Sequence, residues 1–304
     1  IGNTSITKTQ LRGEISGSRL TIGTAHTNNT TFSSIAGGQD NTITGDCSFI
    51  GSGKTNIAGG DYSVIAGGLN NCITSVNVSN IGGGQNNCIT DVATTIGGGF
   101  TNTGSGQYSV IGGGFLNYTA THYAFVGGGA CNFAEGVASV VVGGSENCAG
   151  NCSFVGGGLE NTASAQVVVI AGGQRNTGSS NYATIGGGFS NSIACFSDVS
   201  TIAGGCDSCI TSGCSFIGGG RTNAASAEYT TIGGGWGNSA AGNSSFVGGG
   251  KDNDSLSGYS SIAGGIDNII ENTATGGAVG GGGQNYIIGN GFNTIAGGCL
   301  NYNK

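Results

Sequence analysis

The sequence predicts an all-β chain, a parallel β-solenoid (β-roll) of about 18 coils with a period of about 15 residues, and three observations predict it. A unit reading Ile/Val-Gly/Ala-Gly-Gly-x-x-Asn, then a variable stretch, then roughly Tyr-Ser-x before the next anchor, recurs in 18 copies. Asparagine returns to one column in 17 of the 18, which a disordered Gly-rich chain would not maintain. Proline is absent, as expected where nearly every residue lies in or beside a ladder that needs its N–H. A short fixed period marks a solenoid, in which each unit buries its face only on its neighbours. Fifteen residues are too few for a helical pair and suit one β-solenoid turn.

The anchors are Ile35, Ile50, Ile65, Ile81, Ile96, Ile111, Val126, Val141, Val155, Ile170, Ile185, Ile202, Ile217, Ile232, Val247, Ile262, Val279 and Ile295. Residues 1–34, with Lys8, Arg12, Glu14, Arg19 and a degenerate Ile22-Gly23-Thr24, read as an atypical cap or junction; residues 35–304 read as the repeat domain. Spacing departs from 15 at Val141→Val155, Ile65→Ile81, Val279→Ile295, Ile185→Ile202 and Ile262→Val279. All the slack falls between the Asn and the next Ser, so that edge is a loop.

Before each anchor lies a short strand such as Tyr108-Ser109-Val110-Ile111. Side chains alternate. Either Ile111 and Ser109 face inward with Tyr108 and Val110 outward, or the reverse, and both faces carry apolar residues. Val110, Phe125, Val140, Phe154 and Val169 share the column before the anchor over five coils. An apolar strip of that kind marks a chain–chain interface, and small residues after the anchors permit close backbone approach. The Gly-Gly that follows each strand fits a corner with positive φ. Stacked above one another, Asn41, Asn56, Asn71, Asn87, Asn102, Asn117, Asn132, Asn147, Asn161, Asn176, Asn191, Asn223, Asn238, Asn253, Asn268, Asn285 and Asn301 form an expected asparagine ladder.

Net charge is −7 and pI about 4.5, with 8 Lys+Arg scattered along the chain. No basic stripe is present to hold phosphates, which argues against nucleic acid. No apolar run approaches ~20 residues, so no membrane-spanning helix is expected. The first residue is Ile1, which reads as a processed chain or a fragment.

The units resemble the head repeats of trimeric autotransporter adhesins, the hemagglutinin-type repeats with related versions in phage and viral fibres. The likeness is best in Tyr108-Ser109-Val110-Ile111-Gly112, in Ser153-Phe154-Val155-Gly156, and in Asn161-Thr162-Ala163-Ser164. It covers residues 33–304. The resemblance implies a left-handed parallel β-roll, three chains side by side, projecting from a cell or particle and binding surfaces. The third Gly, the near-invariant Asn and the longer unit depart from that family's pattern, and no heptad stalk or membrane barrel follows in the sequence.

Eleven cysteines stand out. Cys72 and Cys88 occupy one column in consecutive coils, where a rung of ~4.8 Å lies within disulfide range. A Cys72–Cys88 bridge and a ladder of thiols acting as small hydrophobes both fit. Cys195, Cys206, Cys209 and Cys214 fall at different points round the coil, which disfavours zinc. The column before Asn is often acidic (Asp40, Glu146, Glu160, Asp207, Asp252, Asp267). Solvated corners explain it better than a calcium site between neighbours.

Catalysis has almost no support, and no cofactor is expected. His26 and His122 have no evident partner, and Ile50-Gly51-Ser52-Gly53-Lys54-Thr55 is a repeat in register in which Ser48 stands where a P-loop needs Gly. Among the Asn-x-Ser/Thr triplets at Asn3, Asn29, Asn77, Asn117, Asn151, Asn243 and Asn253, Asn77 is the best glycan acceptor, whereas Asn117 sits in the ladder.

The expected function is that of an extracellular structural protein on a cell or virion surface. It would form the shaft or head of a fibre, filament or adhesin, self-associating as a side-by-side homotrimer or an end-to-end filament, with a host surface or glycans as further partners. The alternative is a ligand-binding solenoid for ice or glycan. For ice, Thr184, Thr201, Thr231 and Thr294 share a column that Phe216, Phe246 and Ser261 interrupt.

Overall fold

Strand alternation places each anchor and the residue two before it on one face, and that face enters the coil. In the computed structural model, which describes residues 19–74 and 76–304, Ser109 and Ile111 are fully buried while Tyr108 and Val110 face solvent. The same phase holds along the stack. The strands before the anchors form one parallel sheet of 19 strands, from Arg19–Thr21 to Thr294–Ile295. A second parallel ladder follows the Asn column, from Thr27–Asn28 to Tyr302–Asn303. Between them runs a row of single-residue bridges from Thr24 through Gln39 to Cys299. The chain is thus an all-β parallel solenoid of about 19 coils, roughly 90 Å long at ~4.8 Å per coil.

The additional coil lies in the segment read from sequence as a cap. Residues Arg19–Thr21 pair in register with Ser33–Ile35, which puts Thr21 in the anchor column. His26 takes the place of the first ladder asparagine, accepting the Asn41 N–H at Nδ1 while Nε2 bonds the Ile22 carbonyl. Lys8, Arg12, Glu14 and the Asn3 triplet lie outside the described residues.

Each coil changes direction through left-handed residues. Gly129 has φ +89°, and a Cβ there would meet the Gly144 carbonyl oxygen at 2.1 Å, so both conformation and packing require glycine. Sequence reading anticipated the glycine corners. It missed two further left-handed columns filled by ordinary residues, one just before the Asn (Leu116, Glu146, Glu160) and one three before the anchor (Tyr108, Tyr123, Val167). Their role follows from hydrogen-bond direction. Phe115 N–H donates to Gly129 in the coil ahead, but left-handed Leu116 donates to Phe100 in the coil behind. The bond offsets a conformation that costs roughly 1–2 kcal/mol in an L-residue. Of the two 17-residue coils, the one from Ile185 to Ile202 places its extra chain in such a corner, where Phe196 is almost fully exposed.

The core is two columns wide: the anchors, and the residues two after each Asn, such as Ile43, Ile73 and Ile193. Its volume is balanced within coils. Where that second column falls to Gly, the buried column two before the anchor enlarges. Cβ atoms built at Gly104 and Gly178 would lie 2.5 Å from Thr94 Cγ2 and Val168 Cγ1. Where it becomes Thr119, the hydroxyl bonds Ser109 at 2.9 Å.

The asparagine ladder is fully formed over most of its length. The Asn132 N–H and Nδ2 both donate to Asn117 Oδ1 (3.0 and 3.2 Å), and Nδ2 also reaches the Gly128 and Gly144 carbonyls at 2.9 Å. One side chain therefore joins three successive coils. Sixteen of the seventeen asparagines are 0–1% exposed; Asn301, at the end of the described stack, is exposed. At Ser208 the pattern fails. Ser208 N–H still bonds Asn191 Oδ1, yet its short side chain offers Asn223 nothing, and no hydrogen bond among the described residues reaches the Asn223 N–H. A parallel hydroxyl ladder occupies the column two before the anchor: Ser63 N–H donates to Ser48 Oγ, whose hydroxyl donates to the Gly60 carbonyl.

Two stability outcomes follow. Ser208→Asn, which has the Gly204 and Gly220 carbonyls in the usual positions, should raise stability in denaturant by about 1 kcal/mol through restored hydrogen bonds. Gly178→Ala should cost about 1–3 kcal/mol by overpacking against Val168, and Val168→Ala in the same chain should recover most of that loss.

Candidate chain–chain interface

The outward positions are where the stack leaves side chains free. Val110, Phe125, Val140, Phe154 and Val169 are successive register partners in the first sheet and point to solvent. Val110, Phe125, Phe154 and Val169 remain 37–39% exposed even between neighbouring coils. Coil stacking therefore does not bury them. Three other outward columns turn apolar or aromatic in the same coils. Phe100 and Phe115 stack at 5.7 Å on the bridge row, and Tyr118 and Phe133 lie 6.2 Å apart on the second sheet. Tyr108 and Tyr123 stack at 5.5 Å on the left-handed corner. Residues 92–134 contain no Asp, Glu, Lys or Arg. These coils form an uncharged belt with apolar and aromatic side chains on several sides. Sequence reading found one of the four columns; writing the other positions in register would have exposed the rest.

The Thr184, Thr201, Thr231 column lies in that first sheet, and Phe216 and Phe246 interrupt it on the same outward face. The acidic column lies on solvent-facing left-handed corners. Glu160 pairs there with Arg175 of the next coil, and Lys251 lies over the Trp236 ring at 4.6 Å. Among the described residues no three His, Cys, Asp or Glu side chains converge as metal ligands. Lys54 sits in the bridge row between Gln39 and Leu69, as a repeat in register requires. His122 packs edge-on against Tyr123. Asn77 is exposed with its Oδ1 accepting the Asp61 N–H, whereas Asn117 and Asn253 are buried.

All eleven cysteines are free thiols in the structure, so no Cys72–Cys88 bridge is formed. The two are register partners, and their thiols hydrogen-bond one another. Burial raises the Cys148 thiol to about 12, with Glu135 adding to the effect.

A second acceptor column escaped sequence reading because its residue type varies. Four positions before the anchor, Asp46 accepts the Thr31 N–H and hydroxyl at 2.8 Å, Asp61 accepts the Asp46 N–H, and Asp198 accepts from the Ser180 hydroxyl and Asn181 N–H. Asn151 and Asn181 do the same for Val137 and Gln166.

No family model matches the chain, and no curated protein matches it either. No helix among the described residues is long and apolar enough to cross a membrane.

The carboxylate column gives a pH outcome. The Thr31 backbone N–H, then its hydroxyl, holds Asp46 below the usual carboxylate value, and the Ser180 hydroxyl does so for Asp198. A depressed folded pKa adds stability above the unfolded value of 3.8, and that stability is lost as pH falls through the folded one. Amide protection at Thr31 and Asn181 should drop as pH falls below the ordinary carboxylate value of 3.8. Asp46→Asn, which keeps an acceptor oxygen, should remove that drop at Thr31 alone.

Proposed function

We propose that this chain is an extracellular structural repeat protein that forms the shaft or head of a fibre or adhesin by packing side by side with further copies of itself. The observation that carries the reading is the uncharged belt of residues 92–134. Its outward Val, Phe and Tyr columns are left exposed by a fold that has already satisfied its own core. Contiguous exposed apolar surface of this kind belongs in an interface. The occupant is a second copy. The chain carries a net charge of −7, yet the belt brings no like charge into register when two chains lie parallel. Flat faces with the same rung spacing let side chains of one copy seat between those of another. The likeness to adhesin head repeats supports three chains as the unit, with a cell or particle surface as the place of display.

The testing experiment is the mass of the purified chain in solution, with cryo-electron microscopy of the same material. The expected result is rods of several chains side by side, and Phe125→Ser with Phe154→Ser should reduce them to single chains with unchanged β-structure. Single chains at all concentrations would overturn the reading. Filaments that survive both substitutions would replace side-by-side packing with end-to-end stacking.

A further inference from the structure

We propose that Cys72 and Cys88 form a reversible redox pair that ties two neighbouring coils together by thiol–disulfide exchange. Strands Cys72–Ile73 and Cys88–Ile89 are adjacent in the second sheet, with Cys72 directly opposite Cys88. None of the other nine cysteines has a cysteine as its register partner. Cys148 lies between Phe133 and Thr162, Cys209 between Ser192 and Ala224, and Cys206 between Phe189 and Arg221. A rung of ~4.8 Å falls within the Cα separations that a disulfide spans. Both side chains stand outward and half-exposed, so a small disulfide can reach them.

The two thiols are coupled across the rung, so that one keeps its proton while the other is favoured as the thiolate that attacks. With oxidised glutathione as co-reactant, that thiolate attacks one glutathione sulfur, a mixed disulfide forms, and one glutathione thiolate leaves. The remaining cysteine gives up its proton and attacks the cysteine sulfur of the mixed disulfide, expelling the second glutathione thiolate. Two electrons pass from the dithiol to glutathione disulfide, and the two thiol protons go to the departing thiolates or to solvent. The bond would close the segment from Cys72 to Cys88, which contains the extra residue of the Ile65-to-Ile81 coil. This inference does not depend on how the chains pack together.

The test equilibrates the reduced full-length chain in buffers of graded reduced and oxidised glutathione, followed by alkylation, digestion and mass spectrometry. A Cys72–Cys88 cross-link within one chain is expected, lost again on reduction. Cys72→Ser should trap one glutathione on Cys88, and Cys88→Ser should trap one on Cys72, because neither variant keeps a second thiol to expel it. Ser and Thr occupy this column at Thr42, Thr103 and Ser192, so the variants suit the fold, and circular dichroism checks them. Two thiols that stay alkylatable at every ratio, or that link to other cysteines or other chains, would overturn the proposal. Should either variant misfold, the wild-type cross-link decides alone.

Discussion

A chain that turns back on itself every fifteen residues must satisfy peptide groups at its corners, where no regular strand can do so. Buried amide groups left unpaired cost about 1–3 kcal/mol each, and a corner recurs at every rung. The asparagine column answers this constraint. Its side-chain oxygen accepts two N–H groups from the next coil, and its nitrogen ties carbonyls of its own coil and the one ahead. The hydroxyl column does similar work at the other edge of the strand before the anchor. With both corners satisfied, two apolar side chains per coil suffice for a core.

That economy explains what the rest of the sequence is free to do. The inward positions are fixed in size, and the Gly178–Val168 exchange shows how closely: volume removed at one is supplied by the other. Outward positions carry no such restriction. In the 92–134 belt they are apolar on several sides at once, which stacking of coils does not require. Assembly is the simplest use for side chains that the fold leaves uncovered.

The period, the strand positions and the asparagine column were legible in the sequence, because each is repeated by one residue type at one offset. Columns defined by conformation were harder to see. Leu116, Glu146 and Tyr108 share a left-handed backbone with no common chemistry, since the stacked hydrogen bond imposes the conformation rather than the side chain. The acceptor column at Asp46, Asn151 and Asp198 was hidden likewise, because Asp and Asn serve equally as acceptors. The coil at residues 19–34 was obscured because His26 replaces Asn and Thr21 replaces the aliphatic anchor. Exposure of the Val110–Val169 column depended on strand phase, which the sequence left open between two choices.

The most direct test of the ladder is residue-resolved amide hydrogen exchange on the intact chain. If side-chain amides hold the coils together, the N–H groups of Asn102, Asn117, Asn132 and Asn147 will be among the slowest to exchange. Asn223, above the serine that interrupts the column, will exchange much faster than these. Equal protection at Asn223 and at its ladder neighbours would show that strand pairing alone carries the stack, and would contradict the account.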